Sequence, residues 1–139
     1  MSIKSLAHVC IKSADLDATA EFYCGALGLK RMFDFTRKGK VIGYYLKAGN
    51  TTFVEVFLES EILPVGQKTV LSHFCLETDD IKALHASLVA RGLKPRAITM
   101  GCDQAYQFWM EDPNGLSLEF HEYAADCSQF TGCSVEATW

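Results

Sequence analysis

The chain contains six cysteines but no CxxC pair. Its opening segment, MSIKSLAHVCIKS, has neither a continuous apolar stretch nor a small-residue cleavage site. Together these absences argue against secretion and against a disulfide framework. Cys10, Cys24 and Cys75 fall in expected strands or helices and read as buried free thiols. Cys127 and Cys133 sit in a polar tail, where oxidation carries little weight. No basic run occurs, and the net charge is -4, so nothing is set out to neutralise the phosphates of a nucleic acid. No apolar run is long enough to span a bilayer. What remains is a cytoplasmic enzyme or small-molecule binding protein. Its 139 residues, 49% hydrophobic and 22% charged, suffice for one domain with a core.

What the chain does have is internal repetition. His8-Val9-Cys10-Ile11 is echoed by His73-Phe74-Cys75-Leu76, and Gly28-Leu29-Lys30 by Gly92-Leu93-Lys94. At the spacing that separates Gly28 from Gly92, Tyr44-Tyr45-Leu46 aligns with Phe108-Trp109-Met110, Asn50 with Asn114, and Glu55 with Glu119. The chain therefore reads as two copies of one unit.

Each copy has the pattern β-α-β-β-β. In the first, a strand is expected over 5–12 and a helix over 15–28, with a stripe of Leu16, Ala20, Tyr23 and Leu27 and Gly28 as its stop. Strands follow at 31–37, 41–48 and 51–58, separated by turns at Lys38-Gly39-Lys40 and Gly49-Asn50. A linker, 59–68, holds Pro64 and Gly66. In the second copy a strand is expected at 70–77 and a helix at 80–91, striped by Ile81, Leu84 and Leu88. Strands near 95–100, 105–111 and 116–122 complete it, the last two joined by Asp112-Pro113-Asn114-Gly115. The fold class is thus α+β, two tandem βαβββ units (about 3–58 and 70–123) forming a cupped, largely antiparallel sheet around a metal site. The expected layout is a single domain over 1–123 with a C-terminal tail over 124–139.

The metal follows from four polar residues set in apolar strands. The stretch TTFVEVF (51–57) places Glu55 at the centre of a strand apolar on both faces, and an unpaired buried carboxylate costs several kcal/mol or more. Its repeat partner is Glu119, while His8 and His73 match in the first strand of each copy. Taken one at a time, each has an ordinary structural explanation, but the joint pattern does not. A divalent ion accounts for all four, because neutral imidazoles donate and carboxylates supply charge. A His2Glu2 set suits Zn, Ni, Co, Mn or Fe(II), and on a six-coordinate ion leaves two positions for water or substrate oxygens. Such a site polarises a carbonyl, and a glutamate that can detach is placed to act as general base. Cys10 and Cys75 are rival ligands, but same-face neighbours on one strand lie about 6.6 Å apart, which favours core packing or cavity lining. His121 is at most an outer contact of Glu119 or of substrate. His85 reads as half-buried on its helix, and Tyr44-Tyr45 and Phe108-Trp109 read as mostly core, with alternate members able to line a pocket.

The paired units, the run from His8 through FYCGALGLK, and Glu111-Asp112-Pro113-Asn114-Gly115 leading to Leu118-Glu119 resemble the vicinal oxygen chelate superfamily over residues 3–123. That superfamily includes glyoxalase I, methylmalonyl-CoA epimerase, extradiol dioxygenases, and fosfomycin and bleomycin resistance proteins. The resemblance implies metal ligands at His8, Glu55, His73 and Glu119. The complete His-Glu-His-Glu set is most similar to glyoxalase I, with Glu119 as mobile base and Glu55 as its partner ligand. It implies a lyase or isomerase moving a proton beside a small-molecule carbonyl, such as the methylglyoxal–glutathione hemithioacetal, in a homodimer. The alternatives are a non-catalytic resistance-type binding protein, an Fe(II) dioxygenase-like enzyme, or an epimerase. Ser72 stands where glyoxalases often have glycine. Arg31, Arg37, Lys38 and Arg96 are the candidate cations for glutathione carboxylates.

Overall fold

The computed structural model describes residues 6–60 and 73–135. The beginning of the expected first strand, the linker with Pro64 and Gly66, and Ser72 lie outside the described residues. Two compact units are formed. In the first, β1 (His8–Ser13) leads to α1 (Leu16–Ala20), then to β2 (Lys30–Arg37), β3 (Lys40–Lys47) and β4 (Phe53–Leu58). The second has β5 (His73–Glu77), α2 (Ile81–Ala90), β6 (Thr99–Met100), β7 (Ala105–Glu111) and β8 (Ser117–Tyr123), followed by α3 (Ser128–Thr131). Each unit closes its own four-stranded mixed sheet, ordered β1-β4-β3-β2 and β5-β8-β7-β6. In each, the first and last strands run parallel and the other pairs antiparallel. The α+β class and the βαβββ order agree with the sequence reading. Among the described residues, no helix is long and apolar enough to cross a membrane.

Local chemistry explains the element boundaries. Asp15 and Asp80, related by the repeat, cap the two helices by accepting from the backbone N–H of Ala18 (2.9 Å) and Ala83 (2.8 Å). Beyond Ala20 the first helix widens to a π-helical segment over Glu21–Ala26, with Leu27 N–H donating to the Phe22 carbonyl five residues back. The widened turn puts Phe22 and Tyr23 side by side in the core with Thr19, leaving Leu16, Ala20 and Leu27 half-buried. The expected stripe is therefore displaced. Gly28, at φ +73°, ends the segment, and Leu29 N–H returns to the Tyr23 carbonyl. In the β2–β3 hairpin, Arg37 pairs with Lys40, and Lys38 and Gly39 both have positive φ, as a two-residue loop matched to strand twist requires.

One strand is much shorter than expected. The segment expected over 95–100 forms a ladder only at Thr99–Met100. Pro95 brings no N–H, and the Arg96 N–H reaches the Trp109 carbonyl at 2.8 Å outside the ladder. The tail is not free of structure: Ser128 N–H donates to the Asp103 carbonyl, and Cys127 is fully buried.

Each sheet has a helix side and an open side. In the first unit Val54, Val56, Tyr44 and Leu46 are buried with Phe22 and Tyr23; in the second Leu118, Phe120, Phe108 and Met110 are buried with Ile81 and Leu88. Fully burying a side chain of this size contributes about 1.5–3 kcal/mol. Alternation along the strands then sends His8, Cys10, Tyr45 and Glu55 to one open side, and His73, Cys75, Trp109, Glu119 and His121 to the other.

Candidate functional site

Strand register reproduces the sequence repeat in space. Glu55 faces Cys10 across the parallel pair and Tyr45 across the antiparallel pair. Glu119 faces Cys75 and Trp109 in the same way. Each unit thus carries one His–Glu pair. In the first, His8 Nε2 lies 3.9 Å from Glu55 Oε2, and His8 Nδ1 is 3.1 Å from the Tyr45 hydroxyl. In the second, His73 Nε2 lies 3.4 Å from Glu119 Oε2, with the Trp109 ring edge-on to the imidazole. The glutamate side chains are only 17% and 11% exposed, against 43% for His8 and 35% for His73. Among the described residues, the ion-pair partners of both carboxylates are histidines. Enclosed carboxylates beside imidazoles that can be neutral form a donor set that fits a divalent cation.

The second pair has a neighbour without counterpart in the first. His121 Nε2 stands 2.9 Å from Glu119 Oε1, so the two carboxylate oxygens are flanked by two different imidazoles. The contact lacks hydrogen-bond geometry, and neither ring nitrogen of His121 has a hydrogen-bond partner among the described residues, although the residue is only 7% exposed. Cys75 Sγ joins them: one ligand atom from each of Cys75, Glu119 and His121 lies within 4.8 Å of the others. A cavity of about 750 Å³ opens here, lined by His73, Asp103, Gln107, Trp109, Glu119 and His121 among others. Position 57, which the repeat matches to His121, is Phe57, and Gly43 matches Gln107.

The open side of the first sheet is instead aromatic. Phe33 stacks on Tyr45 at 4.8 Å, Phe35 approaches Phe57 at 4.8 Å, and Phe53 lies 5.6 Å from Tyr45.

Cys10 and Cys75 are exposed, not buried, because their strands turn them away from the helix side. Desolvation at the sulfur raises the Cys75 thiol to about 12, with the Glu119 charge adding to the effect. Cys10 is raised too, by burial and then by its hydrogen bond to Glu55. Cys24 is half-buried. At Asp103, burial pushes the carboxyl upward, but the hydrogen bonds from Gln129 and the Ala105 N–H, with the nearby His121, outweigh it and hold the group low. His85 is half-buried on α2, donating to the Arg96 carbonyl, as expected. Trp109 and Tyr45 are the members of their pairs on the open sides, while Phe108 and Tyr44 belong to the core. Of the candidate cations, Arg31 is engaged with Asp34 at 2.6 Å and stacked over Tyr44. The placement of His121 was not legible in sequence beyond its shared face with Glu119.

Two tandem βαβββ units, each presenting a histidine and a glutamate on the open side of its sheet, make this an α+β protein built on a repeated unit. The family profile described as Glyoxalase/Bleomycin resistance protein/Dioxygenase superfamily matches residues 5–120, and the chain belongs to that superfamily. A comparison with curated proteins gives no match. Among solved structures, the chain is similar to a glyoxalase family protein from Enterococcus faecalis, at 25% identity and TM-score 0.76, covering 88% of this chain and 100% of that one. It shares the fold of a lactoylglutathione lyase from Agrobacterium tumefaciens (19% identity, TM-score 0.67, 88% and 96% covered). An antibiotic-binding protein from Streptomyces sp. CB03234 has the same fold at 19% identity and TM-score 0.67, with 89% and 99% covered.

Proposed function

We propose that the protein is a metal-dependent lyase or isomerase of the glyoxalase I type, moving a proton beside the carbonyl of a small substrate. The observation that carries this reading is the repeated His–Glu pair, His8–Glu55 and His73–Glu119, at the same register on the open side of each sheet. In this proposal His8, Glu55, His73 and Glu119 hold a divalent ion (Zn, Ni, Co, Mn or Fe(II)), which when bound supplies Lewis-acid polarisation of the carbonyl. Glu119 takes the proton at a carboxylate oxygen and returns it to the neighbouring carbon. His73 and His121 stand beside its two oxygens. Trp109 lines the cavity. Glu55 holds its position with Cys10 and Tyr45 around it.

The test is turnover of the methylglyoxal–glutathione hemithioacetal by metal-loaded protein. Glu119→Gln should lose at least about a hundredfold in kcat, the lower end of what a general base contributes. Turnover left intact by that substitution would sink the assignment of the base. Silence toward this substrate in a metal-loaded protein would move the reading to another carbonyl compound. The proposal includes a cytoplasmic homodimer; a monomer in sedimentation would remove the dimer from it.

The aromatic open side of the first sheet favours a second reading, small-molecule binding without catalysis, in line with the antibiotic-binding relative. Metal analysis of purified protein separates the two, since the binding reading has no use for the His–Glu pairs.

A further inference from the structure

We propose that the second unit holds a transition-metal ion through Cys75 Sγ, the Glu119 carboxylate and His121, a thiolate–carboxylate–imidazole site that the internal repeat does not duplicate. The inference shares Glu119 with the functional reading above and is otherwise independent of carbonyl chemistry.

Three observations converge. The ligand atoms of Cys75, Glu119 and His121 already lie within 4.8 Å of one another. Donors around a tetrahedral zinc sit roughly 3.3–3.8 Å apart, so small rotamer changes suffice. The three residues share one open face, Cys75 directly across from Glu119 and His121 one pleat along. His73 and Cys75 are also one pleat apart, but on short reach. The longer side chains of Glu119 and His121 lean together and close that gap to 2.9 Å.

The second observation is the imidazole itself. His121 is 7% exposed, yet both its nitrogens lack a hydrogen-bond partner among the described residues. Buried polar side chains nearly always find one. A metal ion at the lone pair of the deprotonated nitrogen answers that deficit, and the ring stands at the wall of an open cavity from which an ion and its remaining ligands can enter. The third is asymmetry. The first unit has the same cysteine and glutamate, Cys10 and Glu55, but Phe57 at the position of His121. A site needing all three donors therefore exists once in this chain.

Thiolate and carboxylate together carry two negative charges and balance a divalent ion. Binding releases the Cys75 thiol proton, now directed at the Leu76 carbonyl, to solvent. The sulfur–nitrogen–oxygen set selects zinc or cobalt over magnesium, calcium or manganese.

The experiment uses the full chain, stripped with chelator and titrated with Co(II) and then Zn(II). Expected are a thiolate-to-cobalt charge-transfer band in the near ultraviolet that is absent in Cys75→Ser, and affinity for the ion that gives this band at least about tenfold weaker in His121→Phe. Tenfold is the lower end of the loss seen even for residues that only support a ligand. In Glu55→Gln the thiolate band should persist, because Glu55 belongs only to the four-residue set proposed above. Because Cys75 is exposed, its substitution leaves the fold intact, and the cobalt spectrum of the unsubstituted chain decides the matter if His121→Phe does not fold. A bound ion with no thiolate band, unaffected by Cys75→Ser but lost in Glu55→Gln, overturns this site and leaves the His8/Glu55/His73/Glu119 set standing. No bound metal at all removes both.

Discussion

Replacing Tyr23 by Phe removes one oxygen from the core of the first unit and little else. Tyr23 is fully buried, and its hydroxyl donates to Asp112 Oδ2 at 3.0 Å, in a turn that belongs to the same unit. Burial pushes the Tyr23 hydroxyl far above its ordinary range, with the Asp112 charge second, so the group stays a donor at all working pH values. A hydrogen bond to a charged group contributes about 1.5–3 kcal/mol. The same Oδ2 also accepts from Asn114 Nδ2 at 3.0 Å, and Oδ1 accepts from the Asn114 N–H at 2.8 Å. Asp112 is therefore not orphaned by the substitution, and the loss should fall near the lower end, about 1.5–2 kcal/mol. Urea unfolding followed by far-ultraviolet circular dichroism should show a lower midpoint with an unchanged slope. A double-mutant cycle with Asp112→Asn should return a coupling of at least about 0.5 kcal/mol. A loss under about 0.5 kcal/mol for Tyr23→Phe, no larger than an ordinary surface substitution, would refute the reasoning.

Gly43 faces the Val56 carbonyl and the Phe57 ring so closely that a Cβ there meets both. Gly43→Ala should cost about 1–3 kcal/mol, the range for overpacking, read as a lower urea midpoint; a neutral result would mean the strand can shift. Asp80→Ala removes the α2 cap, for an expected loss of about 1 kcal/mol, and Asp80→Asn should restore most of it in the same assay. Cys75, though exposed, has its thiol raised to about 12, so metal-free protein should react slowly with iodoacetamide at pH 8 and speed up only as pH approaches that value. Because the folded-state value lies above the unfolded one, this thiol favours the fold at lower pH. The contribution is lost as pH rises from about 9 to about 12. Cys75→Ser should show a shallower decline in stability over that window, and parallel curves would refute the assignment.

Several features were legible because they depend on near neighbours in the chain. The helix stop at Gly28, the Lys38-Gly39 loop and the turn Asp112–Gly115 each follow from residues acting within a few positions. The repeat went further, aligning Glu55 with Glu119 before any register was known, and the two carboxylates do occupy equivalent ladder positions. For Cys10 and Cys75 the sequence left core packing and cavity lining open: alternation places them on the face of the histidines, and the structure shows them exposed there. The strand expected at 95–100 was misjudged, since its apolar content carried no information about whether a partner ladder would form.

By itself, then, the sequence determined the βαβββ order of each unit and the faces on which His8, Glu55, His73 and Glu119 stand, because alternation along a strand and the exclusions at turns are local properties of the backbone. Only the tertiary structure decided that the carboxylates are enclosed while the histidines beside them are half open. It alone brought Cys75, Glu119 and His121 within reach of one ion. Those facts depend on the lean of long side chains across paired strands and on what covers each face, which periodicity along the chain does not record.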